Sequence, residues 1–181
     1  MTTISLDAYN RLIEKYSEKK TEKTQLEAVK QDGLALRFVK EQTEEICLEA
    51  VKQNGLALYY VKDDFQTEKN CLEAVKQNGL ALKYVKDELR TEEICLEAVK
   101  QNGDALELVK DDLKTEEICL EAVKQNGDVL IFVKEQTEEI CLEAVKQNGY
   151  VLKYVKEQTE EICLEALKQN KDSIRYVRKP Q

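Results

Sequence analysis

The chain of 181 residues carries 36 acidic and 28 basic side chains, a net charge of −8, and has no histidine, no tryptophan and one proline. Without histidine neither a Ser-His-Asp nor a Cys-His nucleophile system can be built, and an imidazole-ligated metal is excluded. The acidic balance opposes generic binding to a phosphate backbone, and no run approaches the roughly 18 apolar residues that would span a membrane.

From the N-terminus, MTTISLDAYNRL offers no apolar run fit for a signal peptide, so a soluble, cytoplasmic protein with no membrane partner is expected. Ser5 to Lys19 reads as a Ser-capped amphipathic helix with Leu6, Tyr9, Leu12, Ile13 and Tyr16 on one side, a cap occupying residues 1–20. The string LEAVKQNG, with small variations, then starts at Leu26, Leu48, Leu72, Leu96, Leu120, Leu142 and Leu164. It divides residues 21–178 into seven units, 21–42, 43–66, 67–90, 91–114, 115–136, 137–158 and 159–178, followed by a tail, 179–181.

Each unit opens with a Thr followed by Glu, an N-cap with acid on the positive end of a helix dipole. Thr43 to Asn54 is thus a capped helix of about three turns. All six glycines occupy one slot after this helix, where a left-handed C′ residue is expected. The second segment, x-A-L-x-Y-V-K, is a helix of two turns at most, as in Leu56 to Lys62. Repeat spacings are 22, 24, 24, 24, 22 and 22 residues because the link is Glu-Gln in some copies and four residues in others. One continuous helix is excluded, since 22 residues advance an apolar face by roughly 40° and 24 by roughly 240°.

On the first helix Ile46, Ala50, Cys47, Val51 and Leu48 spread over an arc of about 200°, too wide for one neighbour and suited to stacking between repeats. The expected fold is all-α, an α-solenoid of seven 22–24-residue two-helix repeats with an N-terminal capping helix. The last unit has Lys171 in place of Gly and Ser173 in place of Ala, polar residues expected where no neighbour covers a terminal repeat.

Six cysteines, Cys47, Cys71, Cys95, Cys119, Cys141 and Cys163, are equivalent in the units. Helix spacing of about 8–10 Å is too wide for disulfides between them, so they read as small buried apolar residues, and no metal site is expected. Adjacent carboxylates such as Glu44-Glu45 point about 100° apart, recur in most units and complement helix dipoles, which leaves no catalytic candidate. Residues 1–24 carry +1 and 168–181 carry +4, which leaves −13 for the middle. Such an acidic face could serve a basic partner or merely keep the surface solvated.

One exposed slot of the second helix varies where the first helix is nearly constant: Arg37, Tyr59, Lys83, Glu107, Ile131, Lys153 and Arg175. Diversity on a fixed scaffold is how repeat proteins change partners, and unconstrained drift gives the same pattern. The slot after Gly also varies, and its aspartates, Asp104, Asp128 and Asp172, read as N-caps of the second helix.

The phrase V-K-Q-N-G-L-A-L-K-Y-V, Val75 to Val85, resembles the short tandem helical repeats of unknown function found in bacterial and large-virus proteins. The resemblance runs from residue 21 to about 178 and implies a helical repeat fold, with no catalytic residue, substrate or cofactor attached. The expected function is a non-enzymatic, protein-binding repeat module whose candidate surface is the variable slot. Two alternatives stay open, an acidic inhibitor that blocks a basic nucleic-acid-binding enzyme and direct binding of single-stranded nucleic acid.

Overall fold

A computed structural model describes residues 6–179 of the chain. Ser5, Pro180 and Gln181 lie outside the described residues, and so do the side chains of Leu6, Tyr9, Leu12, Ile13 and Tyr16.

Seven α-helices alternate with seven six-residue 3₁₀ helices, with no strand among the described residues. The α-helices are α1 (Leu6–Gln31), α2 (Glu44–Gln53), α3 (Glu68–Gln77), α4 (Glu92–Gln101), α5 (Glu116–Gln125), α6 (Glu138–Gln147) and α7 (Glu160–Gln169). The 3₁₀ helices are Gly33–Phe38, Gly55–Tyr60, Gly79–Tyr84, Gly103–Leu108, Gly127–Phe132, Gly149–Tyr154 and Lys171–Tyr176. Each α-helix from α2 onward packs against its neighbours in the α row, its own 3₁₀ helix and that of the preceding repeat. This is the all-α solenoid that the periodicity implies.

Local chemistry accounts for the element ends. Thr43 takes an extended backbone, and its hydroxyl oxygen accepts the Ile46 N–H; the equivalent threonine caps α3 to α7. The first repeat departs from this pattern. α1 runs unbroken through both the expected cap and the first repeat's helix, so Thr21 lies within a helix and not at its start.

The second element is a 3₁₀ helix, and the sequence explains why. The segment x-A-L-x-Y-V repeats with a period of three, the number of residues in a 3₁₀ turn. In repeat 2, Leu58 and Val61 fall on the buried edge, Ala57 and Tyr60 on a second edge, and Leu56 and Tyr59 on the outer edge. The longer links add three-residue 3₁₀ turns at Asp63–Phe65, Asp87–Leu89 and Asp111–Leu113, whose Phe65, Leu89 and Leu113 pack half-buried on the core.

The glycine slot requires a correction. None of the six glycines has a positive φ, so none is a left-handed helix terminator. The residue between the two helices is Asn, not Gly. Asn54, at φ −150°, closes α2 by donating its N–H to the Ala50 carbonyl and opens the 3₁₀ helix by accepting the Leu56 N–H on its side chain. That also corrects the aspartate reading. Asp104, Asp128 and Asp172 are not N-caps; their own N–H groups are capped by Asn102, Asn126 and Asn170.

Gly55 is needed for a nonlocal reason. A Cβ built on it would lie 2.2 Å from the carbonyl oxygen of Ala74, in the next repeat. The same clash, with the Ala one repeat onward, recurs at the other five glycines. Lys171 occupies this slot in the seventh repeat, and is exposed. Ser173, read as polar dressing of that uncovered end, is instead fully buried, and its Oγ has no hydrogen-bond partner.

Glutamines of two kinds fasten the stack. Gln53 Oε1 accepts the Gly33 N–H of the preceding repeat at 2.7 Å, and Gln169 does the same for Gly149 at 2.9 Å. The link glutamine reaches forward. Gln42 Nε2 donates to the Tyr60 carbonyl at 2.7 Å while its Oε1 accepts the Lys62 N–H at 2.8 Å. Gln66, Gln136 and Gln158 repeat this two-pronged bridge. Arg90 and Lys114 take the place of this glutamine, still donating forward to the Leu108 and Phe132 carbonyls at 3.5 and 3.1 Å, and add ion pairs. Asp87 lies 3.5 Å from Arg90 and 3.0 Å from Lys110 of the next repeat, and Asp111 lies 3.1 Å from Lys114 and 2.6 Å from Lys134. Hydrogen bonds from Lys110 and Lys134 hold the carboxyls of Asp87 and Asp111 below the ordinary aspartate range.

A second core position, besides Ser173, carries a polar residue with an unpartnered atom. Asn70 stands where Ile46, Ile94, Ile118, Ile140 and Ile162 stand in other repeats, and is fully buried. Its Nδ2 donates to the Phe65 carbonyl at 2.8 Å, but its Oδ1 has no partner. The Phe65 carbonyl also accepts the Thr67 N–H, so it keeps a partner if Asn70 is removed. Asn70→Ile is therefore expected to stabilise the chain by about 1–2 kcal/mol. Thermal unfolding should show the midpoint rise by several degrees; a fall would mean that Oδ1 is satisfied.

Candidate functional site

The period of three decides what the 3₁₀ row shows to solvent. Arg37, Tyr59, Lys83, Glu107, Ile131, Lys153 and Arg175 are all exposed and occupy one equivalent position in each repeat. Three residues earlier, and so eclipsed with them on the same edge, stand Leu34, Leu56, Leu80, Asp104, Asp128, Tyr150 and Asp172. Sequence reasoning assigned three of these to helix caps and left the column out of the surface. A triplet rather than a 3.6-residue wheel would have found it.

Rings organise this edge. The Arg37 guanidinium sits 4.5 Å over the Phe38 ring, Lys83 lies 4.6 Å over Tyr84 and Lys153 lies 4.5 Å over Tyr154. Tyr59 has its ring centroid 5.0 Å from both Tyr60 and Tyr84, so it bridges two repeats. Hydrogen bonding to the Tyr154 side chain raises the Lys153 pKa above that of an ordinary lysine. Arg175 pairs with Asp172 at 3.7 Å, while Asp104 and Asp128 accept hydrogen bonds from Asn126 and Asn148 of the following repeats. Phe38, Tyr59, Leu80 and Ile131 account for four of the six large hydrophobics found exposed, and the other two, Leu164 and Ile174, belong to the last repeat.

The α row presents a different surface. Its helices from α2 on begin with two exposed glutamates each, except α3, where Lys69 follows Glu68. Glu44, Glu45, Leu48 and Lys69 line a shallow depression between α2 and α3. Lys52, Lys124, Lys146 and Lys168 in the last turns pair with glutamates three residues earlier, as in Lys52 to Glu49 at 2.9 Å.

The thiols are interior groups. Cys47, Cys71, Cys95, Cys119 and Cys141 are buried and Cys163 is half-buried. Burial pushes Cys47, Cys71, Cys95 and Cys141 up to about 11 from 9.0, which disfavours the reactive thiolate. Among the described residues no group of three or more His, Cys, Asp or Glu is placed to hold a metal ion, and no helix is long and apolar enough to cross a membrane. A disulfide reagent at neutral pH should modify Cys163 first and the other five only on unfolding. Fast reaction of several thiols in the native state would contradict this burial.

A family described as a domain of unknown function, DUF4116, matches the chain at residues 23–66, 43–90, 67–114, 91–137, 115–159 and 137–179. Each match spans two consecutive repeats, in keeping with a unit that buries its surfaces only against a neighbour. No curated protein and no solved structure matches the chain at a significant level.

Proposed function

The chain belongs to the DUF4116 family of tandem repeats, and from that premise we propose that it is a non-enzymatic module that binds other proteins along the outer edge of its 3₁₀ row. The observation that carries this reading is the contrast between scaffold and edge. Threonine caps, the Asn joint and buried Ala, Leu and Val recur from repeat to repeat, while the exposed position and the exposed or half-buried one three residues before it change in charge, size and ring content. Rings and arginine on that edge are the side chains that dominate binding hot spots. The test is the double variant Arg37→Ala with Tyr59→Ala, compared with the wild type in capture of proteins from the native host. The melting temperature should stay within a few degrees, and proteins held by the wild type should be lost. An unchanged set of captured proteins would overturn the reading.

A second reading rests on the glutamates that open α2 to α7, which set a row of exposed carboxylates along the α layer. Through it the chain would act as an acidic inhibitor of a protein with a basic, nucleic-acid-binding surface. Binding through this row would weaken steeply with salt, because exposed charges are screened over about 10 Å at 0.1 M. It would also survive Tyr59→Ala.

A further inference from the structure

We propose that the outer edge of repeats 1–3 docks an extended acidic peptide in which carboxylates alternate with large apolar side chains. The proposal rests on the reading of the 3₁₀ edge as a protein-binding surface and names the chemistry of its partner. Within this stretch the two outer columns read Leu34 and Arg37, Leu56 and Tyr59, Leu80 and Lys83, with no carboxylate among them. Tyr59 is 63% and Leu80 37% exposed, Leu34 and Leu56 are half-buried against the core, and Phe38, on the adjoining edge beside Arg37, is 73% exposed.

A cation stands at each end of this apolar strip. Arg37 and Lys83 each lie over a ring, which holds the cation in place and leaves it without a salt-bridge partner among the described ion pairs. The next repeats close the site. Asp104, Glu107 and Asp128 put carboxylates on the same edge, and these repel an acidic segment. Two charges of one sign flanking rings and leucines complement a chain that offers acid, apolar and acid groups in turn.

The spacing requires an extended segment. Arg37 and Lys83 are two repeats apart, which at about 8–10 Å per packed helix is about 16–20 Å, the length of five or six residues of extended chain at about 3.3 Å each. One carboxylate cannot serve both cations. A nucleic-acid strand fits less well, because it would bring a phosphate at every nucleotide to an edge with two cations and offer no aliphatic partner to the exposed Leu80.

The experiment uses the full chain and a fluorescein-labelled twelve-residue peptide of alternating Glu and Leu with a central Phe, read by fluorescence anisotropy. Saturable binding is expected, about thirtyfold weaker with Tyr59→Ala, as for loss of a central aromatic anchor. Arg37→Ala with Lys83→Ala should weaken it and flatten its salt dependence, while Lys124→Ala, exposed on the α row away from the site, should leave it unchanged. The proposal is overturned by equal binding of the peptide with every Glu replaced by Lys, by tighter binding of a twelve-nucleotide oligothymidine, or by indifference to Tyr59→Ala. Sedimentation that shows dimers dissolved by Tyr59→Ala would overturn it in favour of a second copy of the chain. Absence of peptide binding defeats this inference alone. The broader reading fails only if Arg37→Ala with Tyr59→Ala leaves protein capture intact.

Discussion

Gly55→Ala should destabilise the chain by about 3 kcal/mol, the upper end of the usual cost of overpacking, and lower the melting temperature by about 10 °C. At an ordinary negative φ, Gly→Ala would instead stabilise by about 0.4–1 kcal/mol through the unfolded state. Two facts set the sign. The φ of Gly55 is not positive, so alanine meets no backbone strain. The Ala74 carbonyl lies 2.2 Å from the Cβ position, and that oxygen is held in place by the Asn78 N–H, so relief must come from separating two repeats. Gly55→Asn should be no milder than Gly55→Ala, since any Cβ meets the same oxygen; a left-handed terminator would tolerate Asn. Lys171→Gly, at a slot that is exposed in the seventh repeat, should change the midpoint little. Thermal melts of the three variants decide the matter, and a stabilised Gly55→Ala would refute the interlock.

The second large effect is alkaline. Four thiols ionise near 11 in the folded chain but near 9.0 once unfolded. Their folded pKa values are raised, so the folded state retains protons that the unfolded state releases between those limits. Stability from this source is complete below pH 9 and is lost as pH rises toward 11, at about 1.4 kcal/mol per pH unit for each thiol. The four together would remove several kcal/mol within one pH unit. Urea unfolding at pH 8, 9.5 and 10.5 should show this fall. Replacing Cys47, Cys71, Cys95 and Cys141 by Ala should flatten it, even though the variant starts less stable. Lysines and tyrosines titrate in the same range in both proteins, so the difference between the two slopes isolates the thiols. Equal slopes would contradict the burial of these groups.

What could be read from the residues was what a single repeat decides for itself. Thr43 and its equivalents cap helices because hydroxyl and N–H lie three residues apart, and Cys47 is buried because its phase falls inside the apolar arc. What escaped depends on residues one repeat away. Gly55 answers to Ala74, Gln53 to Gly33 and Gln42 to Tyr60, and none of these pairings has a local signature. A signal did exist in Lys171, since the glycine is replaced in the one repeat where the slot is exposed. The candidate surface was half legible. The column from Arg37 to Arg175 is exposed, as its helical phase implied, but its eclipsed column from Leu34 to Asp172 emerges only with a 3₁₀ period.

The central claim is that partners meet the outer edge of the 3₁₀ row, and site-specific photo-crosslinking tests it most directly. A benzophenone amino acid placed at Tyr59 or Ile131, and separately at Glu93 or Lys124 on the exposed α surface, would be irradiated in an extract of the native host. The account predicts protein adducts of defined mass from Tyr59 and Ile131 and none from Glu93 and Lys124. Adducts confined to Glu93 and Lys124 would contradict it and transfer the binding surface to the α row.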